Sequence, residues 1–91
     1  MAITTELELF TEVGEFCSVN GVFPRGKLVR NVRDLARIDV LDLRMGGSDM
    51  FRRNLERHLK PLMYVGVRVI VKKLSWTEKL TCWSFKRTNN A

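Results

Sequence analysis

Residues 37–60 read RIDVLDLRMGGSDMFRRNLERHLK, and a change of period inside this stretch decides the fold. Up to Met45 the residues alternate, with Leu41, Leu43 and Met45 on one side and Asp42 and Arg44 on the other. A period of two marks a strand with one buried face. Gly46-Gly47 ends it. Ser48 is a good helix N-cap, and Asp49 puts a negative charge in the first turn, where it complements the helix dipole. Phe51, Leu55, His58, Leu59 and Leu62 then recur at helical spacing. Arg53, Arg57 and Lys60 recur at i, i+4 and i+7 on a different face, with Glu56 able to pair with Lys60 or Arg52. Pro61 ends or kinks the segment. The stretch therefore predicts a strand, a tight turn and a helix over 48–60.

Working outward, Thr5-Glu6-Leu7-Glu8 fits a capping box with Thr5 as N-cap. Leu9, Phe10, Val13, Phe16 and Cys17 follow as an apolar helical stripe, and Asn20-Gly21 is a natural stop. A first helix over 5–19 results. Pro24 and Gly26 speak against a helix in 22–30, and an edge or bulged strand fits better because proline cannot donate to a central ladder. Leu28, Val29, Val32, Leu35 and Ala36 match a helical stripe, but the span is short and β-branched. In 64–74, Val65, Val67, Val69 and Val71 share one face, while Tyr64, Gly66, Arg68, Ile70 and Lys72 share the other. Residues 79–87 alternate as well, with Thr81, Trp83, Phe85 and Arg87 on one side. Ser75-Trp-Thr-Glu78 would be the hairpin connection between these strands. The expectation is one compact α+β domain over 1–91, a small antiparallel sheet of about four strands with two helices packed on one face.

Charge is segregated along the chain. Residues 1–24 carry Glu6, Glu8, Glu12 and Glu15 and no base, whereas residues 25–91 carry all 16 bases against six acids. A positive body of this kind attracts phosphate backbones or acidic protein surfaces over about 8 Å at physiological salt. The commonplace reading is a basic charge that serves solubility. No apolar run is long enough for a bilayer span, and the N-terminus has no basic region followed by an apolar one, so a cytosolic location is the expectation. Cys17 and Cys82 are read as reduced thiols, a disulfide being the alternative. With two cysteines and one histidine, a zinc site lacks ligands, and no cofactor is expected.

The search for chemistry finds little. No carboxylate lies within helical reach of His58, and neither Ser48 nor Cys17 sits in a nucleophile motif. Gly46-Gly47-Ser48 lacks the lysine of a phosphate-binding loop. The chain reads as a non-enzyme without a small-molecule substrate. The basic constellations carry more. Arg25, Lys27, Arg30, Arg33 and Arg37 surround Asn31, and together they could hold backbone phosphates while Asn31 meets a base edge. Arg53, Arg57 and Lys60 form a second cluster, against a solvated helix face as the ordinary reading. Arg68, Lys72, Trp83, Phe85 and Arg87 could make a stacking platform, although aromatics in so small a domain usually serve the core.

In overall profile the chain resembles small phage-encoded inhibitors of the anti-CRISPR type: compact, motif-free, strongly charged and without recognisable catalysis. Many of that class occupy a surface of an RNA-guided complex. Most mimic DNA with negative charge, and the net +6 here departs from that. The resemblance implies a phage protein acting in the host cytosol, docking through its basic surface on a CRISPR surveillance complex and blocking target DNA binding by contact with guide RNA or acidic protein surfaces. A small DNA-binding transcriptional regulator and a protein–protein adaptor without nucleic-acid contact remain the alternatives.

Overall fold

The computed structural model describes residues 2–29 and 35–84. Helix α1 (Glu6–Val19) is followed by strand β1 (Arg25–Leu28), strand β2 (Val40–Met45), helix α2 (Asp49–Leu59), strand β3 (Arg68–Lys73) and strand β4 (Trp83–Ser84). Short 3₁₀ turns occupy Leu35–Arg37, Lys60–Leu62 and Glu78–Thr81. The sheet order is β3-β2-β1-β4. The α+β class, the two helices and the four strands agree with the sequence reading.

Both helices begin at caps that the sequence announces. The Thr5 hydroxyl accepts a hydrogen bond from the Glu8 amide at 3.1 Å, and the Glu8 carboxylate accepts one from the Thr5 amide at 3.1 Å. Two donors that the helix itself leaves unsatisfied are thus answered. The Glu8 carboxyl is held below its ordinary range, chiefly by hydrogen bonds from Thr4 and then Thr5. At the far end Gly21 takes φ 68°, a left-handed conformation suited to glycine. Helix α2 starts at Ser48, whose hydroxyl accepts from the Phe51 amide at 3.1 Å. Gly47 has φ 88°, a conformation that favours glycine, and a β-carbon there would also crowd the Phe51 ring at 3.1 Å.

The sheet is mixed, not wholly antiparallel. β1 pairs antiparallel with β2 and with β4, but β2 and β3 run parallel, from Val40 opposite Arg68 to Met45 opposite Lys73. The cause is helical return. The 11 residues of α2 climb about 16 Å, close to the length of β2, and carry the chain back to the end where β2 began. β3 must then start beside the start of β2. It starts later than its valine alternation suggests, because a turn closed by the Val67 amide on the Tyr64 carbonyl leaves Val65 fully exposed.

Three further expectations change. β1 is interior, flanked by β2 and β4; Pro24 sits just ahead of the ladder, so its missing N–H removes no strand bond. Ser75–Glu78 is no hairpin. The Ser75 amide donates to the Glu78 carboxylate at 2.8 Å and the Glu78 amide donates to the Ser75 hydroxyl at 3.2 Å. This second reciprocal box opens the 3₁₀ turn Glu78–Thr81 and sends the chain from β3 at one edge to β4 at the other. Strand pairing in the expected 79–87 segment is thereby confined, among the described residues, to Trp83 and Ser84. Of the stripe Leu28, Val29, Val32, Leu35 and Ala36, Val32 lies outside the described residues; Leu28 ends β1 and Leu35–Arg37 is a 3₁₀ turn, so its described residues form no α-helix.

One apolar cluster joins Leu9, Val13 and Cys17 of α1, Leu55 and Leu59 of α2, and the inward residues of β1, β2 and β3. The helices also meet directly. The Phe16 ring lies 5.8 Å from Phe51 and stacks on His58 at 4.8 Å, and His58 Nε2 is 2.7 Å from Glu12 Oε1. Arg52 is only 6% exposed. Its guanidinium donates to the Gly47 carbonyl at 2.7 Å, reaches the Met45 carbonyl at 3.5 Å and pairs with Asp49. A buried cation thus fastens the first turn of α2 to the end of β2, where the expected partner had been Glu56.

Two outcomes follow. Arg52→Met should destabilise by about 1–3 kcal/mol in urea unfolding, because it strips backbone carbonyls of a buried donor. Thr5→Ala should cost about 1 kcal/mol near neutral pH. The depressed Glu8 value means its contribution is complete above the ordinary carboxylate range and disappears as pH falls through the folded value. The difference between Thr5→Ala and the parent should therefore narrow in acid melts.

Candidate nucleic-acid interface

The helices cover one face of the sheet, and alternation sends the remaining strand residues to the other. In β1, Gly26 and Leu28 are buried, which places Arg25 and Lys27 on the open side. In β2, Leu41, Leu43 and Met45 are buried, which places Val40, Asp42 and Arg44 there. In β3 the same parity gives Arg68, Ile70 and Lys72. Register then aligns them. Lys27 lies opposite Arg44, and Arg44 opposite Lys72. Three cations from three strands form a row about two strand spacings, or ~10 Å, long.

Opposing charges at this face are few. Asp42 holds Arg44 through two bonds, Nε to Oδ1 at 3.0 Å and Nη2 to Oδ2 at 3.1 Å. The hydrogen bond that Arg44 donates to Asp42 is the main reason that the guanidinium holds its proton more tightly than usual. Glu78 is the second acid. Its carboxyl is held below the ordinary range by the Ser75 hydrogen bonds first, and by the charges of Arg44 and Lys27 after them. Lys27 Nζ also donates to the Thr81 hydroxyl at 2.7 Å. Against Asp42 and Glu78 stand Arg25, Lys27, Arg44, Arg68 and Lys72, so the face keeps an excess of positive charge.

The sequence-predicted residues divide. Arg25 and Lys27 lie on this face, joined by Arg44 and Lys72. Arg30, Asn31 and Arg33 lie outside the described residues. Arg37 is exposed at the end of the 3₁₀ turn Leu35–Arg37. Arg53 and Arg57 are exposed on α2 and Lys60 at the start of the 3₁₀ turn that follows it; all three belong to the helix layer, so they form no single patch with Arg25 and Lys27. Arg53 alone of the three approaches the sheet cations, across a groove that Arg44 and Lys72 also line. Glu56 turns away from the basic stripe, and its Oε2 accepts from the Val71 amide at 3.0 Å. The Trp83 ring packs 4.4 Å from Phe10 of α1, and β3 and β4 are opposite edges, so no stacking platform forms from Arg68, Lys72 and Trp83. Arg44 was visible to sequence reasoning only as a polar face of β2, because nothing local reveals which strands flank it.

The reactive side chains have structural partners. His58 bridges the helices through Glu12, and the Ser48 hydroxyl is the α2 cap. Cys17 is buried, and burial pushes its thiol up to about 11. Cys82 is half-buried and donates to the Lys79 carbonyl at 3.2 Å, and both thiols are free. Among the described residues no cluster of histidine, cysteine and carboxylate side chains could hold a metal ion, and no helix is long and apolar enough to cross a membrane. Native-state alkylation at pH 8 should accordingly modify Cys82 well before Cys17, as read by peptide mass; equal rates would contradict the packing of α1. Comparison with protein-family models, with curated proteins and with solved structures finds no match for this chain.

Proposed function

We propose that the chain is a non-catalytic binding protein whose open sheet face docks on the phosphate backbone of nucleic acid within a ribonucleoprotein and occludes it. The observation that carries this reading is the cross-strand row Lys27, Arg44 and Lys72. Three positive groups in register on a rigid sheet meet a line of phosphates without the cost of ordering a loop. Asp42 orients Arg44 and weakens its net charge, while Lys72, Arg25 and Arg68 extend the positive field beyond it. Trp76 supports a single strand over a duplex. Its side chain is 74% exposed, and it lies two positions from Glu78, the acid that senses Lys27 and Arg44. Base stacking on exposed aromatic rings is the usual means of holding unpaired bases.

The resemblance to anti-CRISPR inhibitors selects the partner to test first, a CRISPR RNA-guided surveillance complex in the host cytosol, with the guide strand as the contacted polyanion. Affinity should be measured for that complex and for a single-stranded RNA over a range of salt. Log affinity should fall linearly with log salt, and Arg44→Ala and Lys72→Ala should each reduce the slope by roughly 0.7, the share of one phosphate contact. Trp76→Ala should weaken binding at every salt concentration with the slope unchanged. Affinity that ignores salt, or that survives the paired substitution of Arg44 and Lys72, would overturn the reading. Sequence-specific retention of duplex DNA would replace it with the regulator.

A further inference from the structure

We propose that the outer edge of β3 is a docking site for an extended acidic peptide of a partner protein, which adds to the sheet as a further strand. β3 has one strand neighbour among the described residues. The Arg68 amide donates to the Asp39 carbonyl at 2.9 Å and the Leu74 amide to the Met45 carbonyl at 3.1 Å. Even-numbered residues therefore bond inward to β2. Val69, Val71 and Lys73, at the alternate positions, direct their N–H and C=O groups outward. At Val71 this is observed directly, because its amide bonds to the Glu56 carboxylate of α2 and not to a strand.

The space beside that edge suits an extended chain. A groove of about 470 Å³ lies between β3 and the first turns of α2, lined by Val71, Lys72 and Lys73 on one side and by Asp49, Arg52 and Arg53 on the other, with Arg44 also on its wall, opposite Lys72 in the ladder. A strand edge paired with a helix wall is the geometry of strand-addition recognition, in which main-chain bonds give affinity and side-chain pockets give selectivity. Charge selects the occupant. Arg52 is answered by Asp49 and Arg44 by Asp42, which leaves Arg53, Lys72 and Lys73 to face the incoming chain. A second copy of this edge would set lysine against lysine, and like charges directly opposite are unfavourable. An acidic peptide has no such conflict. Glu56 then serves as a removable cover: it satisfies the Val71 amide in the free protein and yields that amide to the peptide carbonyl.

The proposal does not rest on nucleic-acid binding, although the two ligands would share Arg44 and Lys72. The probe is a short synthetic peptide alternating valine and glutamate, titrated into the ¹⁵N-labelled full chain. Amide shifts and slowed hydrogen exchange should concentrate at Val69, Val71 and Lys73. Lys73→Pro removes an outward donor without touching the β2 ladder, and should weaken the peptide roughly three- to tenfold, the worth of one hydrogen bond. Arg53→Glu leaves the backbone intact and should weaken it also, which covers the case in which the proline variant fails to fold. Glu56→Ala should strengthen binding by removing the competitor. Shifts that fall instead on Arg25 and Lys27, or peptide affinity indifferent to Lys73→Pro in a folded variant, would overturn strand addition. Protection of the same amides without peptide, rising with protein concentration, would overturn it in favour of self-pairing. RNA affinity should be unchanged by Lys73→Pro, so the two readings can fail separately.

Discussion

The direction of β3 depends on the length of α2, and most of the surface follows from that direction. A helix that climbs as far as β2 extends, fixed at its start by the buried Arg52, returns the chain to the origin of β2. The parallel ladder then brings Lys72 level with Arg44, and β1 on the other side brings Lys27 level with both. Had the chain turned back in a hairpin after β2, β3 would have run antiparallel and the pairing of Arg44 would have been different. The cationic row is thus a property of topology as much as of composition.

The two layers divide the work. The helix side carries the apolar cluster and the aromatic contacts of Phe16, Phe51 and His58, so the fold is held from one side. The open side is free to carry charge because a sheet of this kind needs only one buried face. Leu74 is the exception. It is buried at 3% exposure next to the turn that leads into Ser75–Glu78, outside the main cluster. The Ser75–Glu78 segment lies on the path from the β3 edge to β4, and it brings Glu78 within electrostatic reach of Arg44 and Lys27.

Local signals were legible and distant ones were not. Thr5-x-x-Glu8 and Ser48 gave both helix starts, because a cap is a bond between near neighbours. The alternation of Leu41, Leu43 and Met45 gave β2 its face. Ser75-x-x-Glu78 has the same form as the first capping box, yet the alternation of the residues after it favoured a hairpin. Strand order, the parallel pair and the Glu12–His58 contact join residues far apart in sequence, and no periodicity encodes them. The site divides the same way. Arg25 and Lys27 were found as a local basic cluster, while Arg44 and Lys72 became their companions only through register. The α2 stripe was correctly placed on a helix but belongs to the other layer.

β4 has a consequence of its own for the order of assembly. Trp83 pairs with Gly26 across 57 positions of chain (83 less 26), whereas β1 and β2 close a much shorter loop. Loop closure over that distance is unfavourable until the rest of the sheet exists, so β4 should join last. Among the described residues it pairs over two positions, fewer than any other strand, and native proteins open first where pairing is short. When β4 lifts, Trp83 leaves Phe10 and the β1 backbone at Arg25 and Gly26 replaces β4 as the edge opposite β3. The border at β3 is thus fixed, while the opposite border can pass from β4 to β1.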